Sequence, residues 1–232
     1  IAAALASTDR RVRRRIDITD GLGLPVLAEI PYHPGRTLAG STGAEATTGY
    51  AESFRRLRSH LPMTSSGNGF GALLVTSAGP GEGRTTTAVN LALALAHTGV
   101  DVVLVDADLH RPGVAAALSL PPDHPGLTSL LTGTTDLDVA LQPWSSGLDL
   151  RVITAGPPVP NPGDLLAGRR MSRVVRTLLD DGRTVVVDTP ALESVADAAA
   201  LSRLCEGTIL VARSGKTAAD RLDRIVGELM TL

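Results

Sequence analysis

"SAGPGEGRTTT" spans Ser77 to Thr87, and its reading decides how the residues around it are understood. It follows the apolar run "ALLVTS" (72–77) and opens "TTTAVNLALALAHTG" (85–99), a helical stretch apolar on nearly all sides and closed by Gly99. A Gly-rich turn from a buried strand into a helix lets backbone N–H groups converge on a phosphate. Gly79, Gly81 and Gly83 permit that convergence without Cβ clashes. The helix contributes its positive end, and Thr85 is placed to offer a hydroxyl to a divalent cation. Pro80, Glu82, Arg84 and Thr86 complete the candidate phosphate-binding set. Two letters are unusual: Ala78 stands at the customary first Gly, and Arg84 stands where Lys is customary. A Gly-rich turn can also be purely structural, so the neighbouring motifs carry weight.

The next strand ends "VLVDADLHRP", with Asp106 and Asp108 alternating along it and so projecting to the same side by pleat. Paired carboxylates at a strand tip, one strand after a phosphate loop, suit Mg²⁺ and a general base. The plainer alternative is a turn-forming Asp pair before Pro112. A third strand ends "VVVDTPA", placing Asp188 after three valines, where a metal-associated carboxylate is expected. Its plain alternative is a strand-ending Asp-Thr-Pro turn. All three features fall at the carboxyl ends of strands, where open α/β sheets bind ligands.

From Gly71 onward short β-branched strands alternate with helices. The expected strands are "ALLVTS", "DVVLVDAD" (101–108), "LDLRVITAG" (148–156), "TVVVDTP" (184–190) and "GTILVARSG" (207–215). Helical stretches such as "NPGDLLAGRRMSRVVRTLLDD" (161–181) lie between most of them. The pattern predicts an α/β fold with a mostly parallel sheet covered by helices on both faces. The chain has 232 residues and is 43% hydrophobic but only 2% aromatic, so its core must be built from Ala, Val and Leu. A net charge of -2 argues against a protein that coats nucleic acid. The single cysteine, Cys205, excludes an internal disulfide framework and fits a reducing compartment; it reads as a small buried hydrophobe. No run is long and apolar enough to span a bilayer. Lys216 is the only lysine, so Arg84 could reflect a general drift from Lys to Arg.

At the start of the chain, Arg10, Arg11, Arg13, Arg14 and Arg15 follow a short apolar stretch. They read equally as a solvated charged helix or as a basic segment beside anionic headgroups. A short strand is expected over Val26 to Ile30, closed by Pro31 and Pro34, and then a flexible linker over 35–49. "YAESFRRLRSHL" predicts a helix with Phe54, Leu57 and Leu61 on its apolar stripe. Glu52, Arg55 and Arg58 share another arc of roughly 120°, which by spacing alone is a solvent-facing charged face. His33, His60, His97 and His124 lack metal-ligand spacing, and Trp144 reads as a packing residue.

Together these motifs resemble the cytoplasmic domain of bacterial tyrosine kinases, the autokinases that accompany polysaccharide copolymerases. "SAGPGEGRTT" is similar to the Walker A of these P-loop NTPases, "VLVDADLHRP" to their Walker A′ and "VVVDTPA" to their Walker B. "GLTSLLTG", "AGPPVPNPGDLL" and "VADAAALSRLCEGTILVARSGKT" also resemble family segments, and the likeness runs from about Gly21 to about Arg224. The resemblance implies ATP/ADP and Mg²⁺ as cofactors. It implies Asp106 as the base for a tyrosine hydroxyl, Arg84 and Asp108 in the catalytic set, and Thr85, Asp108 and Asp188 around the metal. Glu52, Arg55 and Arg58 match the E-x-x-R-x-x-R helix through which members join into rings. "RRVRRRIDITDGLGLPVLAEIP" matches the junction after a membrane span, which favours the headgroup reading. The implied organisation is a juxtamembrane segment and linker over 1–40 and a kinase-like domain over 41–232, truncated at its C-terminal end.

The implied function is an autokinase regulating capsular or exopolysaccharide synthesis at the cytoplasmic face of the membrane. Its implied partners are its own copies in a ring, a transmembrane copolymerase region and a cognate tyrosine phosphatase, with no nucleic acid. The sequence departs from the family pattern at Arg84, at His110 in the Arg position of Walker A′, and at Ala191 in the second Pro position of Walker B. The sequence to Leu232 holds only Tyr32 and Tyr50, so the family's C-terminal tyrosine cluster is either lacking or follows Leu232 if the protein continues. Two rival readings follow: a catalytically impaired, nucleotide-binding regulator of copolymerase assembly, and a partitioning-type ATPase. The second is disfavoured because such proteins generally carry a further Lys early in the loop.

Overall fold

The computed structural model describes residues 11–33, 49–62, 70–121, 123–144, 147–192 and 200–231. Most of the linker expected over 35–49, the arginine at position 10 and the first apolar stretch lie outside them. The sheet has six strands: β1 (Ala72–Ser77), β2 (Val102–Asp106), β3 (Gln142–Pro143), β4 (Leu150–Ile153), β5 (Thr184–Asp188) and β6 (Gly207–Val211), in the order β3-β4-β2-β5-β1-β6. Every pairing is parallel except β3 with β4. The two-residue β3 is too short to show a period and was not expected from the sequence.

The valine-rich strands carry apolar side chains on both of their faces because both faces are covered. Leu73, Val75, Val102, Leu104 and Val186 point into one core with α2 (Gly49–Ser59) and α3 (Arg84–Ala96). Ala72, Leu74, Val103, Val105, Val185 and Val187 point into a second core, with α5 (Leu127–Thr132) and α8 (Arg169–Asp180). Residues alternate between faces with period two, so each strand needs an apolar residue at every position.

Four sequence expectations need adjustment. Val26–Ile30 joins no strand ladder; Leu27, Ala28 and Ile30 instead pack on the first core. The basic segment is not a continuous helix. Arg11 forms an antiparallel bridge with Ala218, and only Arg15–Thr19 (α1) is helical. The helical stretch over 161–181 is split into α7 (Pro162–Leu166) and α8, with Gly168 as the N-cap of the second. Strand β2 stops at Asp106, so Asp108 lies beyond the ladder and not on a shared pleat. Further helices are α4 (Val114–Ala117), α6 (Leu137–Ala140) and α9 (Ala219–Met230). Trp144 does pack on the first core, and its indole N–H donates to the Leu118 carbonyl at 3.1 Å.

Candidate nucleotide site

The sheet order β2-β5-β1 puts three strand ends side by side. Asp106 and Asp188 are Cα partners in register, and the loop of 78–83 leaves the end of β1 next to them. Gly83 has φ of 104°, a conformation that needs glycine, and serves as N-cap of α3. Inside the loop, Glu82 is buried and accepts from the Gly79 N–H at 3.1 Å, while the Ser77 hydroxyl donates to the Gly79 carbonyl at 2.8 Å. These bonds hold the turn without any ligand. Pro80, Gly81 and Thr86 are exposed, and Thr85 is half-buried facing Gly113.

Arg84 lies across this loop and ends on a carboxylate. Its guanidinium donates to Asp108 at 2.9 Å, to the Ser77 hydroxyl at 3.1 Å and to the Gly79 carbonyl at 3.4 Å. Its Nε is buried without a hydrogen-bond partner among the described residues. Asp108 also accepts from the Arg111 N–H at 3.0 Å; the His110 and Arg111 side chains lie on the exposed surface.

The two aspartates of the register pair sit in different surroundings. Asp106 accepts from the backbone N–H of Gly113 at 3.1 Å, Val114 at 3.0 Å and Asp108 at 3.3 Å. Burial outweighs these donors and pushes its carboxyl up to about 6. Asp188 is fully buried, and neither of its oxygens meets hydrogen-bond geometry with any described residue. Burial, then the charge of Asp106, pushes it well above the usual carboxylate range. The nearby Thr85 hydroxyl and the Arg84 charge oppose this more weakly. The Asp-Thr-Pro turn after it is also structural: the Thr189 hydroxyl donates to the Val75 carbonyl at 3.0 Å, and the Thr76 hydroxyl to the Pro190 carbonyl at 3.1 Å. Ala191 follows this turn, half-buried.

Asp188 thus offers two buried carboxyl oxygens without a hydrogen-bond partner among the described residues, beside a threonine hydroxyl. That donor set fits Mg²⁺, which takes one or two carboxylates and completes its shell with phosphates and water. Among the described residues no three His, Cys, Asp or Glu side chains form a metal cage of their own, so the other ligands would have to come from a bound nucleotide and solvent.

The helix-arc residues lie at the opposite end of α3. Arg55 donates to Glu52 at 2.8 Å, and Arg58 donates to the Ala94 carbonyl at 3.0 Å in the last turns of α3. The arc is therefore not wholly solvent-facing; Arg58 caps the phosphate-loop helix. Of the two tyrosines, Tyr50 is 3% exposed and accepts from Asn90 at 3.1 Å, whereas Tyr32 is 66% exposed with the Arg213 guanidinium 4.2 Å from its ring centroid.

A protein of Bacillus subtilis, Tyrosine-protein kinase YwqD, is 36% identical over 181 residues, covering 78% of this chain and 76% of that protein. The chain belongs to the bacterial tyrosine-protein kinase family. Solved structures agree with that placement. The kinase domain of Escherichia coli tyrosine kinase ETK matches with a TM-score of 0.82 and 28% identity, covering 94% of this chain and 89% of that one. The BceF tyrosine kinase domain matches with a TM-score of 0.83 and 27% identity, covering 95% and 94%. The ParA family model described as "NUBPL iron-transfer P-loop NTPase" matches residues 71–162. That span holds the loop and the Asp106–Asp108 pair of this tyrosine-kinase family member and stops before Asp188.

The sequence reading did not pick out the outer face of the loop. Lys216 donates to the Pro80 carbonyl at 2.7 Å and the Gly81 carbonyl at 3.1 Å, and Arg213 donates to the Gly81 carbonyl at 3.2 Å. The available signal was the isolation of Lys216 in a chain that otherwise uses Arg.

Proposed function

We propose that this chain is an ATP-dependent protein-tyrosine autokinase that regulates capsular or exopolysaccharide synthesis and export from the cytoplasmic face of the membrane. The observation that carries the reading is the unsatisfied, buried carboxylate of Asp188, in register with Asp106 and beside a phosphate loop. Family membership supplies the tyrosine as acceptor.

In this reading Gly79, Pro80, Gly81, Glu82, Gly83, Arg84, Thr85 and Thr86 surround the phosphates, and backbone N–H groups with the start of α3 supply the electrostatic cradle. Thr85, Asp108 and Asp188 hold Mg²⁺, directly or through water. When bound, that ion supplies neutralising charge to the phosphate oxygens. A tyrosine hydroxyl attacks the γ-phosphorus as the bond to the ADP oxygen breaks, and the phenolic proton passes to Asp106. A carboxyl raised to about 6 is still ionised at neutral pH and is a stronger base than an ordinary aspartate. Asp106 must exchange backbone donors for the phenol, so the 108–113 loop has to move. Arg84 must leave Asp108 to reach phosphate. Copies join through Glu52, Arg55 and Arg58, and the basic N-terminal segment faces the membrane ahead of a domain beginning near residue 41. A transmembrane copolymerase region and a tyrosine phosphatase are the other partners of this reading.

Incubation of the full-length protein with Mg·ATP, followed by intact mass and phosphosite mapping, tests it. Phosphotyrosine supports the kinase; tight Mg·ATP binding without phosphate gain supports the regulator instead. The Arg84–Asp108 ion pair favours that second reading, because it engages the loop's cation with a carboxylate.

A further inference from the structure

We propose that Lys216 and Arg213 are positioning residues for the phosphate loop, gripping it from outside so that its backbone donors face the nucleotide. The proposal rests on the nucleotide reading of the loop and adds two residues from a different part of the chain.

A trans peptide points its C=O and N–H in opposite directions, and the described residues contain no cis peptide. Fixing the Pro80 carbonyl fixes the Gly81 N–H, and fixing the Gly81 carbonyl fixes the Glu82 N–H. Lys216 binds both carbonyls and Arg213 binds the second. Both peptide N–H groups are thereby turned away from the cations, toward the opposite side of the loop. The approach is close: a Cβ at Gly81, where φ is +68°, would lie 2.8 Å from the Lys216 ammonium. A Cβ at Gly79 would lie 3.1 Å from the Arg221 guanidinium. Lys216 and Arg213 therefore cover the outer face of the loop at Pro80 and Gly81, where they also add positive potential for a polyphosphate.

The turn that carries the grip is itself fixed. Thr217 is buried, and its hydroxyl accepts from the Arg213 N–H at 2.7 Å. The Thr217 and Lys216 N–H groups both donate to the Arg213 carbonyl, at 2.9 and 3.0 Å. Val12 is clamped alongside, donating to the Thr217 carbonyl and accepting from the Gly215 N–H, both at 2.8 Å. A flexible lysine on a fixed turn can impose a loop conformation; the same lysine on a loose turn could not. In a chain that uses arginine almost everywhere, a three-donor ammonium is the group suited to bridging two adjacent carbonyls.

The test measures Mg·ADP affinity with a fluorescent ADP, together with amide hydrogen exchange of the protein saturated with Mg·ADP. Lys216→Ala weakens Mg·ADP by ~5-fold and the Lys216→Ala/Arg213→Ala pair by ~10-fold or more, with an unchanged melting temperature. Exchange at the Gly81 and Glu82 amides quickens. Lys216→Arg recovers only part of the lost affinity, since a cation is kept but its wider planar fork suits two adjacent carbonyls less well. Affinity and exchange like those of the unsubstituted protein in both alanine variants would overturn the grip while leaving the nucleotide site intact. An unsubstituted protein that binds no Mg·ADP overturns the nucleotide reading and the grip with it.

Discussion

Asp106 and Asp188 are Cα partners at the ends of adjacent strands, both fully buried and both pushed toward the neutral form by desolvation. One has three backbone N–H donors, and the other has no hydrogen-bond partner among the described residues. Asp106 is thus part of the fold as it stands, because it caps α4 and fixes the 107–114 turn. Asp188 is expensive as it stands, since an unsatisfied buried carboxylate costs several kcal/mol. A site that retains such a group is set up for a cation. The contrast separates a carboxyl held in place by its surroundings from one without a hydrogen-bond partner among the described residues.

The largest effects should appear in nucleotide chemistry. Asp188→Asn and Asp106→Asn both lower phosphotyrosine formation by ~100-fold or more, but they do so differently. Asp188→Asn abolishes the Mg²⁺ dependence of nucleotide affinity, whereas Asp106→Asn keeps it. Titrating ADP with and without Mg²⁺ makes the distinction. Equal loss of Mg²⁺ dependence in both variants would break the comparison.

Acid should relieve both groups. A carboxyl whose folded value is raised gives its full stability below about 3.8 and loses it as pH rises through its folded value, about 6 for Asp106. Without nucleotide and Mg²⁺, these two residues therefore make the protein less stable on going from pH 4 to pH 7, by on the order of 2–3 kcal/mol for Asp106. Asp188 acts in the same direction. Denaturant melts of the unsubstituted protein and of Asp188→Asn across that range isolate the effect. The gap between the two should grow with pH, and a constant gap would contradict the raised value of the Asp188 carboxyl.

How far this site could be read from sequence follows from what each residue does locally. The loop, the three strand tips and the parallel sheet were legible, because glycine spacing and apolar runs are local signals. Strand ends at Asp106 and Asp188 were visible as Val runs meeting Asp. The difference between the two aspartates was not visible, since it depends on whether Gly113 and Val114 fold back onto one strand end. The partner of Arg84 was also hidden, 24 residues away at Asp108. The short β3 and the bridge between Arg11 and Ala218 depend on contacts that periodicity does not record.

Stability offers a smaller test of the contrast. At neutral pH without ligand, Asp188→Asn should raise stability by about 1–3 kcal/mol, the size of an unsatisfied polar group relieved. Asp106→Asn should raise it by less, because the relief of a buried charge is offset by an amide N–H turned toward the Asp108 N–H, while the amide oxygen still accepts from Gly113 and Val114. Saturating Mg·ADP should erase the advantage of Asp188→Asn, since ligand binding stabilises the folded state only in proportion to its affinity.

Arg84 bears on the same contrast from the side of the cation. Its guanidinium is spent on Asp108 and Ser77, and its charge only weakly holds down the Asp188 carboxyl. Lysine at this position brings a compact charge on a flexible stem that can turn to a phosphate at less steric cost than the wider fork. Arg84→Lys should leave Mg·ADP affinity within about threefold and raise phosphotransfer by ~10-fold, because transfer depends on positioning more than binding does. An unchanged rate would mean that Arg84 leaves Asp108 freely when nucleotide enters. The arginine would then be ordinary drift in a chain with one lysine, and the ion pair would not restrain turnover.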